Sequence, residues 1–293
     1  MHDRLHLLIT GASGFVGQSL VRLALGEGYR VTVVVRDAAQ APEGCGALVH
    51  SLGSGARLDL PEGVDAVAHL AQSRAYRAFP QDAAEMFRVN VGGAQEMLLA
   101  AAQARVSRFC LVSSGTVYEP FLAPLREDEA VAPPGNLGAT KLAAEVLARP
   151  FGTLFALSTL RLFAPYGPGQ AGRLVPDLIN RVRRGEAVSL PAEGGGMRFA
   201  PSHVEDVCQA MLTSIEQSWT GIYNLAAPEA VSIEDAAHAI GRALDKVPVI
   251  VRNPAQGTPP AVVPELGKLA ARFDLSRFRS FEDGIASMVD GRN

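Results

Sequence analysis

The stretch LHLLITGASGFVGQSL, residues 5–20, decides the fold class. Its first six residues form an apolar run of strand length, and the segment 15–27 then places apolar residues at helical spacing. Between the two, a glycine recurs at every third position. Such a turn lets the backbone approach a pyrophosphate, whose negative charge the helix N-terminus stabilises. We therefore predict a dinucleotide-binding turn with the contact residues Gly11, Ser13, Gly14, Phe15, Val16 and Gly17.

Strands and helices alternate along the chain that follows. Apolar, often β-branched runs of strand length alternate with longer segments of helical spacing, which is typical of a parallel sheet covered by helices on both faces. The predicted strands are 29–37, 47–50, 64–71, 108–114, 155–163 and 221–226, and the predicted helices are 82–104, 138–149, 173–185, 203–215 and 232–244. The sequence thus predicts the α/β class, with a Rossmann-like, doubly wound parallel sheet.

The organisation changes after residue 163, where loops rich in glycine and proline begin. We predict a dinucleotide-binding domain over 1–163, to which about 203–227 return. A smaller, discontinuous C-terminal lobe, 164–202 and 228–293, is expected to bind the substrate. Its loops would select that substrate, and the sequence carries no code for its identity.

Composition and charge narrow the classes of function. The 293 residues are 48% hydrophobic and 19% charged, as in ordinary globular proteins, and the net charge of −3 gives no footprint for nucleic acid or an anionic membrane. No apolar run approaches the length of a membrane-spanning helix, and the N-terminus lacks signal-peptide features. The three cysteines are scattered, so no metal site is indicated. We expect a cytoplasmic protein without metal, membrane or nucleic-acid partners.

The end of the second predicted strand bears on the choice of cofactor. An NAD-specific site offers an acidic group to the ribose 2′-hydroxyl at this point, whereas counting along the strand places Val35 there, followed by Arg36. An arginine suits a 2′-phosphate through charge-assisted contacts. The sequence therefore favours NADP over NAD. A solvated arginine at a strand end is the alternative.

Further motifs follow in a fixed order along the chain. They are HLAQ at 69–72, NVGGAQEML at 90–98, LVSSGTVYE at 111–119, LRLFAPYGPGQ at 160–170 and MRFAPSHVEDV at 197–207. Together with GASGFVG, they resemble the extended short-chain dehydrogenase/reductase superfamily in its nucleotide-sugar epimerase/dehydratase branch. The resemblance covers nearly the whole chain. It implies a homodimer built from the helices near 82–104 and 138–149.

The resemblance also implies roles for individual residues. Ser114 would hydrogen-bond the reacting oxygen, and Lys141 would hold the nicotinamide ribose. Arg198 would contact the diphosphate of a nucleotide sugar, with Thr116 as a further substrate contact. The remaining cofactor contacts that it implies are Leu70, Ala71, Gln72, Asn90, Ser113 and Leu162.

The chain departs from the resembled family at the residue that moves a proton. The family carries a tyrosine four residues before the lysine, and in the stretch NLGATKLAAE that position is Leu137. Only three lysines are present in the chain, so a chance match of Lys141 to the motif is improbable. Leucine carries no proton, and losing a general acid or base typically costs roughly 10²–10⁴ in rate.

Two functional hypotheses follow. The first is an NAD(P)-dependent oxidoreductase, epimerase or dehydratase acting on a nucleotide sugar or related carbonyl compound, in which a displaced Tyr76 or a water moves the proton. Tyr118 also lies near Ser114, although it matches a structural tyrosine of the family. The second is a catalytically silent family member that binds the dinucleotide and acts as a sensor or partner protein.

Overall fold

The computed structural model describes residues 4–122, 124–255, 257 and 259–289, so 1–3 and 290–293, the extremes of the two predicted domain ranges, lie outside the described residues. Its strands are β1 (His6–Thr10), β2 (Arg30–Val35), β3 (Gly46–Val49), β4 (Ala66–His69), β5 (Arg108–Ser114), β6 (Ala156–Leu162), β7 (Pro165–Tyr166), β8 (Val188–Pro191), β9 (Arg198–Phe199), β10 (Ser202–His203), β11 (Gly221–Leu225), β12 (Val231–Ser232) and β13 (Ile250–Asn253).

The helices are α1 (Phe15–Gly26), α2 (Ala83–Met86), α3 (Gly93–Gln103), α4 (Asn136–Ala148), α5 (Leu174–Arg184), α6 (Val204–Glu216), α7 (Ile233–Leu244), α8 (Gly267–Ala270) and α9 (Phe281–Val289). Five of the helices, α1 and α4 to α7, follow the predicted segments to within a few residues. None of the helices in the described part of the chain has the length and apolar character that a membrane span requires.

The main sheet, over the described residues, has seven strands in the order β11-β6-β5-β4-β1-β2-β3. The pairs from β3 to β6 are all parallel. The chain moves outward in one direction from β1 to β3 and in the other from β4 to β6, so the switch point lies between β1 and β4. Ligands of such sheets bind beyond the carboxyl ends of the strands at this point. The predicted α/β class with a doubly wound parallel sheet is confirmed.

Burial explains why these runs became strands. Every residue of β1 and β4 is buried, and β2 is buried from its second residue onward. Strands covered on both faces read as continuous apolar runs, which is the pattern that predicted them. The core on one face joins Val67 and Phe109 of the sheet to Met97 and Ala148 of α3 and α4.

The predicted helix 82–104 is interrupted. Between α2 and α3 the backbone makes a π-helical turn, Phe87–Gly92. The loop that contains Gly53 packs tightly against this turn, since a Cβ at Gly53 would lie 2.0 Å from the Arg88 carbonyl oxygen. The Glu96 carboxylate holds the same loop by accepting hydrogen bonds from the Gly53 and Gly55 N–H groups. Apolar spacing along the sequence does not distinguish such a turn from regular helix.

Backbone contacts divide the chain into two compact units. Within the described residues, the first comprises 4–119, 130–162 and 208–223, and the second 120–129, 163–207 and 224–289. In the second unit α5, α7 and α9 enclose an apolar core that includes Tyr166 and Phe281. Local signals set its helix ends: Ser232 and Asp235 form a capping box, and Gly185 ends α5 at φ +67°.

Candidate active site

The glycine turn after β1 is shaped by close backbone contacts. Gly11 has φ +72°, and a Cβ there would lie 2.8 Å from the carbonyl carbon of Leu70. A Cβ on Gly17 would lie 2.1 Å from the Gly11 carbonyl oxygen. Gly14 is the N-cap of α1, and no side chain caps this end of the helix, so the first N–H groups of the helix are available to a ligand. This arrangement fits the pyrophosphate of a dinucleotide.

The Gly17→Ala variant is expected to weaken dinucleotide binding at least about tenfold, because the added methyl must displace the Gly11 backbone. Gly26→Ala is the matched control, since it lies at the other end of the same helix and its Cβ would meet no atom within 4 Å. The control is expected to bind normally and to be stabilised by up to about 1 kcal/mol. Fluorescence titration with NADH and NADPH measures the first effect, and thermal unfolding the second. Equal binding by Gly17→Ala and wild type would contradict this geometry.

A guanidinium lies on the glycine turn. Arg74 Nη2 donates to the Ser13 carbonyl oxygen at 3.2 Å and to Ser13 Oγ at 3.3 Å. Ser73, the preceding residue, is fixed in turn: its N–H donates to Asn90 Oδ1 at 2.8 Å, and its hydroxyl donates to Glu85. The sequence singled out Ser13 but not Arg74, which is one of many arginines without a motif of its own. The structure thus adds a cation to the predicted phosphate turn.

Asn90 connects the loop after β4 with the start of α4. Besides accepting from Ser73, its amide donates to Thr140 Oγ1 at 3.0 Å. The Thr140 hydroxyl bonds the carbonyls of Asn136 and Leu137 in the first turn of α4. Asn90 is buried, and both ends of its amide are engaged with protein groups. In this structure, Asn90 therefore links the loop after β4 to α4 by hydrogen bonds.

The end of β5 presents the two predicted hydroxyls. Ser114 Oγ accepts hydrogen bonds from the Thr116 N–H at 3.2 Å and from the Thr116 hydroxyl at 3.0 Å. Because both contacts use Ser114 as the acceptor, its own hydrogen stays available for an outside oxygen. Ser114 and Thr116 are both half-buried, so the pair remains accessible from the carboxyl edge of the sheet.

The first turn of α4 packs directly on this turn. A Cβ at Gly138 would lie 2.5 Å from the Thr116 carbonyl oxygen. Leu137 is therefore beside the Ser114–Thr116 turn, half-buried, at the second residue of α4. One helical turn further, Lys141 is 6% exposed and donates from Nζ to the Val112 carbonyl oxygen at 3.0 Å. Burial lowers the pKa of Lys141 to about 8, and the negative charge of Glu145 acts in the opposite direction.

A buried ion pair lies one further turn along α4. Glu145 and Arg161 have side chains 1% exposed and bond through Nη2 to Oε2 at 2.8 Å and through Nε to Oε1 at 3.1 Å. Ser113 donates to the same carboxylate at 2.5 Å, and Arg161 Nη1 donates to the Tyr118 hydroxyl at 2.8 Å. This cluster ties α4 to the carboxyl ends of β5 and β6. It commits Tyr118 and Ser113 to protein contacts.

A neutral histidine ends β4. His69 Nδ1 lies 3.0 Å from Thr10 Oγ1, which itself accepts the Ala71 N–H at 3.1 Å. The Thr10 hydroxyl has one hydrogen and a second lone pair, so it can donate to Nδ1 or accept from it, and the bond suits either tautomer of the neutral imidazole. Within the described residues Nε2 has no hydrogen-bond partner. Burial, and secondly the charge of Lys141, lowers the pKa of His69 to about 3.

The other predicted site residues have these positions. Arg36 is exposed directly after β2, and Leu162 ends β6. Leu70, Ala71 and Gln72 follow β4, where the backbone of Leu70 and Ala71 meets Gly11. Tyr76 is half-buried in the loop after β4, with the Arg77 guanidinium 5.6 Å from its ring centre. Arg198 is exposed in β9 of the second unit.

The first unit therefore gathers the predicted cofactor and proton-transfer segments at one edge of its sheet. Three residues that the sequence did not assign also belong there: Arg74, Glu145 and Arg161. Over the described residues, no group of three His, Cys, Asp or Glu side chains is placed to hold a metal ion.

A doubly wound sheet with a glycine turn at its switch point and a serine–lysine pair beside it defines a dinucleotide-dependent protein of the short-chain dehydrogenase/reductase type. The chain belongs to the NAD-dependent epimerase/dehydratase family, whose model matches residues 7–226. The predicted family is thereby confirmed.

Two relatives and one solved structure are similar to this chain over most of its length. The dTDP-glucose 4,6-dehydratase of Streptomyces griseus is 33% identical over 219 residues, which are 69% of this chain and 66% of that protein. The low-salt glycan biosynthesis protein Agl12 of Haloferax volcanii is 27% identical over 97% of both chains. Among solved structures, MoeE5 in complex with UDP-glucuronic acid and NAD has a TM-score of 0.80 at 26% identity, over 97% of this chain and 98% of that one.

Proposed function

We propose that the protein is an NAD(P)-dependent enzyme that interconverts an alcohol and a ketone on a nucleotide sugar or a related carbonyl compound, as an oxidoreductase, epimerase or dehydratase. The observation that carries this proposal is the placement of Ser114 at the carboxyl end of β5, in the same parallel sheet as the glycine turn, with Lys141 bonded to β5. Relatives that act on dTDP-glucose or were solved with UDP-glucuronic acid and NAD support the substrate class.

Each residue has a role in this proposal. Ser114 donates its free hydrogen to the reacting oxygen, while Thr116 holds the serine in place. Lys141 holds the nicotinamide ribose through N–H donors of its side-chain amino group. The second unit serves as the substrate-binding lobe, and its exposed Arg198 pairs with a substrate phosphate. The bound nicotinamide supplies hydride transfer.

The test combines cofactor analysis with turnover assays. The purified protein is titrated with NADH and NADPH, and a panel of UDP- and dTDP-sugars and simple ketones is offered. We expect turnover on at least one nucleotide sugar. Cofactor binding without turnover on any compound would favour the silent dinucleotide-binding protein. A gain of activity in Leu137→Tyr would then identify the missing phenol as the cause of that silence.

Arg36 is proposed to select NADP over NAD. It is exposed at the end of β2, while the next residue, Asp37, is engaged in capping the following turn by accepting the Ala39 N–H. Arg36→Ala should weaken NADPH binding by about tenfold or more and leave NADH binding nearly unchanged, because a charge-assisted contact to phosphate is lost. Arg30→Ala, at the exposed other end of β2, is the control. Equal NADPH affinity in wild type and Arg36→Ala would disprove the preference.

A homodimer is proposed through α3 and α4. Both helices bury one face on the sheet, yet Leu99 of α3 is 46% exposed and Val146 of α4 is 49% exposed, with Leu147 beside it at 37%. Exposed apolar groups on adjacent helices are typical of an interface. We expect a dimer at micromolar concentration by light scattering and a monomer for Val146→Glu. Val247→Glu, at an 87% exposed valine of the second unit, should leave the dimer intact. A monomeric wild type would contradict the proposal.

A further inference from the structure

The position of Lys141 relative to Ser114 and Leu137 sets what the lysine can reach. Its acceptor, the Val112 carbonyl, lies two residues before Ser114 on β5, or roughly 6–7 Å along the strand. Leu137 lies one helical turn away on α4, and residues at this spacing have Cβ atoms about 5–6 Å apart. The amine is therefore held two residues before Ser114 along β5 and one helical turn from Leu137 on α4.

The environment of Lys141 does not satisfy an ammonium. An ammonium has three N–H donors, and the Val112 carbonyl is the one acceptor that the described residues provide. The Glu145 carboxylate is held by Arg161 and Ser113 rather than by the lysine. Burying a charge without partners is costly, so the neutral amine gains stability relative to the ammonium. A neutral amine has a lone pair that accepts a proton.

The charges that face the amine come from each neighbouring element. On its own helix stands Glu145, which is neutralised by Arg161 of β6. From β4 comes His69, which is uncharged in this structure because burial and the lysine charge hold its pKa at about 3. Tyr118, after β5, is engaged with Arg161. The net result is that burial dominates at Lys141 and lowers its pKa to about 8, close to physiological pH.

Resting on the proposed function, we propose that Lys141 is itself the proton-transfer group of this enzyme and takes the place of the missing tyrosine. Leucine is shorter than tyrosine, so a water can occupy the space beside Leu137 between the amine and the substrate. In oxidation, the substrate O–H bond breaks, its proton passes to this water, and a water proton forms a new N–H bond on Lys141. The C–H electron pair leaves as hydride to the oxidised nicotinamide. In reduction, the ammonium returns the proton by the same path.

The first experiment reads the protonation of Lys141 directly. The chain contains only three lysines, Lys141, Lys246 and Lys268, so a protein labelled with ¹³C at lysine Cε gives three signals. Lys141→Arg assigns the signal by its loss. We expect that signal to titrate near pH 8, because burial lowers the pKa of Lys141 to about this value. Titration of the Lys141 signal above pH 10 would overturn the proposal, whether or not a substrate is known.

The second experiment separates charge from proton transfer. Arginine keeps the positive charge but does not deprotonate, so Lys141→Arg should bind NAD(P) within a few-fold of wild type and lose at least about 10² in turnover. Should Lys141→Arg be misfolded, Lys141→Ala provides a second variant, with turnover restored by added methylamine. Retained turnover in Lys141→Arg, or no rescue by the amine, would overturn the proposal. An inactive wild type that still binds cofactor would instead refute the proposed function.

Discussion

Replacing Arg161 with methionine is expected to lower the free energy of unfolding by about 3–5 kcal/mol. The change removes the partner of Glu145 while both side chains are 1% exposed, and an uncompensated buried carboxylate carries a penalty of this size. Tyr118 and Ser113 belong to the same cluster, so their hydrogen bonds rearrange as well. Urea unfolding followed by circular dichroism measures the change.

Two further variants test whether this loss of stability comes from the unpaired buried charge. The double variant Glu145→Gln, Arg161→Met removes both charges and should recover much of the loss, because the cost lies in the unpaired charge. Arg149 is exposed and directly follows α4, so Arg149→Met should change the free energy of unfolding by no more than about 0.5 kcal/mol. An Arg161→Met variant as stable as Arg149→Met would show that the pair does not hold α4 to the sheet.

Replacing Lys141 with methionine is expected to stabilise the protein at pH 7 by roughly 3–4 kcal/mol while it removes the proposed proton-transfer group. The folded-state pKa of about 8 lies below the unfolded value of 10.5, and each unit of difference corresponds to about 1.4 kcal/mol. The unfolded state binds more protons between these two values, so wild-type stability rises with pH across that window. Methionine has a similar length and no charge to bury.

The pH dependence distinguishes this effect from better packing. The advantage of Lys141→Met over wild type should be complete below pH 8 and shrink as the pH rises towards 10.5, as measured by urea unfolding at a series of pH values. Lys268→Met, at an exposed position on α8, should show neither the gain nor its pH dependence. A Lys141→Met variant that is less stable than wild type at pH 7 would contradict the cost assigned to the buried amine.

The sequence predicted the fold class because the evidence for it is local. Strands buried on both faces, such as β1 and β4, are continuous apolar runs, and Gly17 is required by a local contact with the Gly11 carbonyl in the same turn. The family was identifiable from motifs in the same order. Features that depend on residues close together in the sequence, such as strands and motifs, could therefore be predicted from the sequence.

Long-range partners could not be predicted in this way. Asn90 was singled out as a cofactor contact, yet its amide bonds Ser73 and Thr140, residues 17 and 50 positions away. Arg74 reaches Ser13 across 61 residues, and no motif marks it. The π-helical turn at Phe87–Gly92 packs against Gly53, a contact that helical periodicity does not record. The individual site assignments remain predictions for binding and kinetic experiments.

The central claim is that the turn after β1 binds a nicotinamide dinucleotide. Isothermal titration calorimetry of the purified wild-type protein with NADH and NADPH, beside Gly17→Ala and Gly26→Ala, tests it most directly. We predict saturable binding of at least one dinucleotide to wild type and Gly26→Ala, and binding at least about tenfold weaker to Gly17→Ala. Failure of both dinucleotides to bind wild type, or equal affinity in Gly17→Ala, would contradict the claim.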